Sequence, residues 1–193
     1  SGMHIHMSLL DKAGDNVFSG DPISPLCRNG LGGLCETMAD FMPIWAQYAN
    51  SYRRYVPLSY VATAPQWGFN NRTVALRVPP GNGAATRIEH RVAGADANPY
   101  LVIAGILAGI SHGIANKSEP GQNCEGNAEE IEAPSTLPIV WANALDAFER
   151  SEIARNAFGT GFHDVFTRLK QTERANFERV VTGLDHLWYA HVA

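Results

Sequence analysis

Cysteine is scarce in this chain: Cys27, Cys35 and Cys124 are the only three in 193 residues. The number is odd and no pair stands at CxxC spacing, which excludes a self-contained disulfide framework and a zinc ribbon. Reduced thiols in a cytoplasmic protein are expected instead. Runs of like charge are also missing. The net charge is −4, without a polybasic block, which argues against a general nucleic-acid binder and leaves no cationic tail for a membrane surface. Long apolar runs are lacking too. The most apolar stretch, Tyr100–Ile114, is short for a bilayer and contains Ser111, His112 and several glycines, so it reads as a buried helix. No secretory leader is read at the amino terminus.

What is present is an ordinary globular composition, 45% hydrophobic and 18% charged, with enough length for one domain and a sizeable core. The pattern predicts a strand over Met3–Leu9, a turn over Asp11–Asp15, and a helix opened by Ser24-Pro25 that runs to about Phe41. Gly30, Gly32 and Gly33 weaken that helix locally and allow close packing. A shorter helix starts at Pro43, and Asn50–Trp67 reads as an extended loop. Strands are predicted over Val74–Val78 and Arg87–Val92, on either side of a Pro- and Gly-rich loop. Asn98-Pro99 starts an apolar helix to about Ala115, and Asn116–Ser135 is a long surface loop. The remainder is helical, over Pro138–Arg150, near Ile153, and over Phe162–Tyr189. Without a regular βαβ rhythm, this order implies an α+β fold with an antiparallel sheet flanked by helices. Ser1-Gly2 leads straight into a strand, and the chain is expected to be a piece of a longer protein that carries half a site.

The residues with chemistry to offer cluster in alternating positions. In a strand, residues i and i+2 share a face, so His4 and His6 can point into one site, as can Arg87, Glu89 and Arg91. Isolated, the His-x-His pair is more simply two polar groups on a half-exposed strand, and Glu89 a salt-bridge partner of its neighbours. The arginines carry more weight. Arg53, Arg54, Arg72, Arg77, Arg87 and Arg91 gather in one segment, some in apolar strand contexts such as Val74-Ala-Leu-Arg77-Val. Arginine is seldom buried unpaired, and its planar fork matches carboxylates and phosphates. As a set they favour an anion site, with phosphoryl chemistry on a polar substrate.

Several motifs occur in a fixed order: Gly2-Met-His-Ile-His-Met-Ser8, Asn50-Ser-Tyr-Arg-Arg54, Asn71-Arg72-Thr, Arg77-Val-Pro79, Arg87-Ile-Glu89-His-Arg91 and Ala97-Asn-Pro-Tyr100. In that order they resemble the glutamine synthetase family, over nearly the whole chain, in the C-terminal part of its catalytic domain (residues 1–193 here). The resemblance implies an ATP-dependent carbon–nitrogen ligase in which a γ-glutamyl phosphate forms and an amine displaces phosphate. It implies ATP and Mg²⁺ or Mn²⁺ as cofactors, and glutamate plus a polyamine or ammonia as substrates. It also implies a ring-shaped homo-oligomer whose active sites lie between subunits. By motif, His4 and Glu89 resemble metal ligands, while His6, Ser8 and Arg87 resemble nucleotide contacts. Arg54 and Arg91 resemble contacts to glutamate or the acyl phosphate, and Arg72 and Arg77 groups that bind phosphate and stabilise the transition state. The family's other glutamate ligands lie upstream, so this stretch alone is expected to be inactive.

Two departures matter. Ammonia-using members commonly read Val-Pro-Gly-Tyr-Glu where this chain reads Val56-Pro-Leu-Ser-Tyr60, so Tyr60 stands in place of an acid that attracts and deprotonates ammonium. The segments Trp67–Thr73 and Arg91–Tyr100 resemble the γ-glutamylpolyamine (γ-glutamylputrescine) synthetase branch, and Tyr60 is expected to contact an alkyl amine. The bland reading of Tyr60 is a loop aromatic, and the alternatives for the whole are an ammonia-using glutamine synthetase or a non-catalytic structural relative. No tyrosine lies between Tyr100 and Tyr189, so the tyrosine adenylylation found in some bacterial members is not expected in the 116–135 loop.

Overall fold

The computed structural model describes residues 1–56, 59–131, 133 and 135–192. Four three-residue strands form one sheet: β1 (Ile5–Met7), β2 (Trp67–Phe69), β3 (Leu76–Val78) and β4 (Ile88–His90), in the order β1-β4-β3-β2. β4 pairs antiparallel with both β1 and β3, as expected, but β2 runs parallel to β3 and the sheet is mixed. A three-residue strand is too short to show alternation, so Trp67-Gly-Phe69 left no period-2 signal. The β2–β3 connection is fixed locally, where Asn71 Oδ1 accepts the Thr73 backbone N–H (2.9 Å) and hydroxyl (2.6 Å).

The helices are α1 (Pro25–Thr37), α2 (Met42–Trp45), α3 (Ala49–Tyr52), α4 (Pro99–Asn116), α5 (Trp141–Arg150), α6 (Glu152–Phe158), α7 (Thr160–Glu178) and α8 (Gly183–Tyr189). The two predicted starts are built as their residues suggest. Ser24 caps α1 by accepting from Cys27 N–H, and Asn98 caps α4 by accepting from Tyr100 and Leu101 N–H, each with proline in the first turn. Lys117, in the left-handed region at φ 54°, closes α4. The helix predicted over Phe162–Tyr189 is divided, because Thr182 and Asp185 form a capping box that starts α8 anew. The loop predicted over Asn50–Trp67 contains the single turn α3 and ends in β2.

α1 and α4 cross at glycine. A Cβ on Gly33 would overlap the Gly109 carbonyl and the backbone of Gly113, so the two helix backbones meet with no side chain between them. Around this crossing Leu31, Leu34, Val102, Ile106 and Ile110 are buried and join Trp45, Leu76 and Ile88 in one core. By length and composition α4 could cross a membrane. Its inner face packs on α1, while Tyr100, Ile103 and Leu107 stay exposed, so the expected burial holds for one face. The three cysteines carry free thiols, and burial pushes those of Cys27 and Cys35 up to about 12.

Candidate active site

The site grows from the register of the central strands. His6 pairs with Glu89 across β1–β4, and Glu89 with Arg77 across β4–β3, so the three residues form one row on one face of the sheet. Directly opposed side chains have Cβ atoms about 5 Å apart, within reach of a guanidinium–carboxylate contact. Arg77 Nη1 donates to Glu89 Oε2 at 2.8 Å. Arg91, just past β4, donates from Nη1 to Glu89 Oε1 at 2.6 Å. His4 Nδ1 lies 3.2 Å from the same Oε1, and His6 Nε2 lies 4.0 Å from it.

This corrects one expectation. Glu89 sits between Arg77 and Arg91, whereas strand alternation had put it between Arg87 and Arg91. The i−2 neighbour on the same strand starts about 7 Å away, and the cross-strand neighbour is nearer. Arg87 turns to β1, with Nε donating to His6 Nδ1 (3.2 Å) and Nη1 to the Ala85 carbonyl (2.8 Å).

Outer contacts hold the two guanidiniums in place. Arg77 Nη2 donates to Asn70 Oδ1 at 2.7 Å, and Arg91 Nη2 to the Arg72 carbonyl at 3.0 Å. Sequence reasoning missed Asn70, whose backbone is left-handed at φ 47°. The Asn70-Asn71 pair was the available signal, since asparagine tolerates that region and forms local turns. Among the described residues the Nε atoms of Arg77 and Arg91 are buried without a partner, so both guanidiniums retain donor capacity beside the carboxylate.

Electrostatics follow the geometry. Burial favours the neutral form of Glu89, but the hydrogen bonds and charges of Arg77 and Arg91 outweigh it and hold the carboxyl below the usual carboxylate range. Burial and the Arg91 charge lower the His4 pKa against the opposing pull of Glu89. The His4 imidazole is therefore neutral near pH 7, with a lone pair to offer. His90, fully buried behind the row with its ring tilted against Trp45 at 4.4 Å between centroids, has its pKa pushed down to about 3, mainly by burial.

Donor chemistry tests whether a metal fits here. Among the described residues no three His, Cys, Asp or Glu side chains converge to hold one. His4 and Glu89 supply two donors, an imidazole and a carboxylate, which suit one edge of a Mg²⁺ or Mn²⁺ site. An ionised carboxylate has about four acceptor positions, so the contacts from Arg77, Arg91 and His4 leave capacity for a cation.

The other candidate residues flank this centre. Ser8 is exposed just beyond β1, on the same face as His4 and His6. Arg54 donates to the carbonyls of Val92 (2.6 Å) and Arg91 (3.2 Å) and lines a recess of about 400 Å³ with Asn50, Ser51, Arg53 and Asp96. Arg72 is exposed at the mouth of another recess, beside Asn123 and Glu125. Tyr60 is 72% exposed at φ 57° and is not drawn into the Glu89 group; its backbone N–H donates to Glu129 Oε1 at 3.1 Å. Sequence reading gave Glu129 no role, because its partner is 69 positions away.

The arrangement is a preorganised cationic clamp, braced by one buried carboxylate, beside a neutral imidazole. It suits a substrate on which negative charge accumulates. Comparison with known proteins points the same way. The family model for the glutamine synthetase catalytic domain matches residues 1–189. Gamma-glutamylputrescine synthetase PuuA of Escherichia coli (strain K12) is 44% identical over 97% of this chain and 40% of its own length. Gamma-glutamylethanolamide synthetase GlnA4 of Streptomyces coelicolor is 37% identical over 94% of this chain and 39% of its own length. A solved structure of GmaS without ligand superposes with a TM-score of 0.88 at 31% identity, covering 98% of this chain and 45% of that one. A GmaS/ADP complex gives 0.87 at 30% identity, covering 98% and 46%. The chain spans about two-fifths of the length of the curated relatives it matches.

Proposed function

From the premise that this chain belongs to the glutamine synthetase catalytic-domain family, we propose that it supplies the C-terminal catalytic strands of an ATP-dependent glutamate–amine ligase. The observation that carries this reading is the row His6–Glu89–Arg77, with Arg91 and His4 at its ends. In the proposed reaction a γ-carboxylate oxygen of glutamate attacks the terminal phosphorus of ATP and ADP leaves. The amine nitrogen then attacks the acyl carbon of the γ-glutamyl phosphate, inorganic phosphate departs with the C–O bond electrons, and the nitrogen loses a proton.

Arg72 and Arg77 offset the charge that builds on the transferring oxygens, and Arg54 and Arg91 hold the glutamyl group. His6, Ser8 and Arg87 face the nucleotide. His4 and Glu89 are two ligands of a divalent cation, which neutralises phosphate charge when bound. Tyr60 belongs to the amine side. Its ring packs against methylenes, and its hydroxyl can hydrogen-bond a polar end. The likeness to PuuA, to GlnA4 and to a glutamate–isopropylamine ligase of Pseudomonas sp. supports an alkyl amine acceptor, and the ADP complex of GmaS supports ATP as the phosphoryl donor. A ring-shaped homo-oligomer in the cytoplasm belongs to the same reading.

The test is kcat/KM for putrescine, for n-butylamine and for ammonia on the protein at its full natural length. Preference for an alkyl amine is the expected result. Ammonia equal to or better than every amine would replace the reading with an ammonia-using glutamine synthetase, and no turnover with any of them would replace it with a non-catalytic relative.

A further inference from the structure

No acid stands at position 60, but a carboxylate from a different loop lies beside it. The segment 124–129 is fastened to the Arg72 turn by three hydrogen bonds. Asn71 Nδ2 donates to the carbonyls of Cys124 (3.1 Å) and Gly126 (2.8 Å), and Ala128 N–H donates to Thr73 Oγ1 (2.9 Å). The same turn is tied to the clamp, because the Arg72 carbonyl accepts from Arg91. Through these contacts the loop carries Glu129 to Tyr60, where Glu129 Oε1 accepts the Tyr60 backbone N–H at 3.1 Å. Among the described residues no other hydrogen bond reaches that carboxylate.

Glu129 lines a recess of about 160 Å³, with Ala62, Ala64 and Ala128 as apolar wall and Gln66 and Thr73 as further polar lining. That volume equals about five waters. It is the scale of a short alkyl chain and too small for a nucleotide. Alanine side chains beside a single carboxylate suit methylenes that carry an ammonium. The charge is needed, because the neighbouring exposed Arg72 and the Arg77–Arg91 clamp repel a dicationic substrate.

We propose that Glu129 is a specificity-determining residue that receives the distal ammonium of a diamine whose other nitrogen attacks the acyl phosphate. This rests on the amine-ligase reading above and adds to it which end of the acceptor is recognised, and by what. Glu130 does not share the role, since it is exposed and its Oε1 accepts from Asn127 Nδ2 at 2.8 Å.

The experiment compares putrescine with n-butylamine, the same four-carbon chain without the second ammonium, on the full-length enzyme. Glu129→Gln keeps an acceptor for the Tyr60 N–H and removes the charge. It should lower the putrescine-to-butylamine ratio of kcat/KM by roughly ten- to a hundredfold, the worth of a hydrogen bond between charged groups. The loss should fall mainly in KM for putrescine. Glu129→Asp should restore much of the ratio, and Glu130→Gln should leave it unchanged. A ratio unchanged in Glu129→Gln, whether both substrates hold or both fall in step, would overturn the proposal while leaving the ligase reading intact. If Glu129→Gln fails to fold, a ratio lowered in Glu129→Ala and largely recovered in Glu129→Asp supports the proposal, and a Glu129→Ala ratio equal to that of the wild type overturns it. Wild-type enzyme that uses ammonia but neither amine overturns the amine reading and this proposal with it.

Discussion

Glu89 is the residue on which both architecture and chemistry turn. It is 3% exposed and joins two guanidiniums that are themselves largely buried. Removing one partner of a buried ionic group costs about 3–5 kcal/mol, because the remaining charges lose their compensation. Glu89→Ala should therefore destabilise the fold by that order. Glu36→Ala, which removes a partly exposed carboxylate from His112 and Ser118, should cost about 1 kcal/mol or less. Chemical denaturation of the two variants checks the contrast. His90 gives a pH test. Its folded pKa of about 3 lies below the ordinary imidazole value of about 6.5, so below pH 6.5 the unfolded chain takes up a proton that the folded one refuses. The stability it contributes is fully present above 6.5 and is lost by about 1.4 kcal/mol per pH unit as pH falls toward 3. Between pH 7 and pH 5, His90→Leu should lose about 2 kcal/mol less than the wild type, as measured by urea unfolding at both pH values. The gathering of arginines near one glutamate was legible in the sequence, because it is a matter of residue types and their spacing. Which arginine pairs with Glu89 was not. That depends on the register of β3 against β4, which no local pattern encodes.

At the scale of elements, the α1–α4 crossing sets how tightly the helices back the sheet. Gly33 meets Gly109 and Gly113 backbone to backbone. Gly33→Ala raises helix propensity by about 1 kcal/mol, but the added methyl has no room and forces the helices apart, at about 1–3 kcal/mol or more. A net fall in Tm of several degrees is expected in a thermal melt, and a rise in Tm would refute the close approach. The helix starts at Ser24-Pro25 and Asn98-Pro99 were legible, because capping is a local reaction of side chain with backbone. β2 and the division between α7 and α8 were not. The first owes its existence to pairing with β3, and the second to a capping box within an otherwise helical pattern.

For the whole molecule, a small mixed sheet carries the charged row on one face and Leu76 and Ile88 in the core behind it. Short strands suffice because the row is only one residue wide on each of β1, β4 and β3. The α+β class was readable from the irregular alternation of strands and helices; the parallel β2–β3 pair was not, since parallel neighbours are normally signalled by a helical crossover that is missing here. The central claim is that this row handles a transferring phosphoryl group. It is tested most directly by following ADP, inorganic phosphate and γ-glutamyl amide together on the full-length protein with ATP, glutamate and putrescine, for the wild type and for Arg77→Gln. The account predicts equal amounts of the three products in the wild type, and a fall of roughly a hundredfold or more in kcat for Arg77→Gln with the fold intact. Wild-type turnover by a folded Arg77→Gln variant would contradict it.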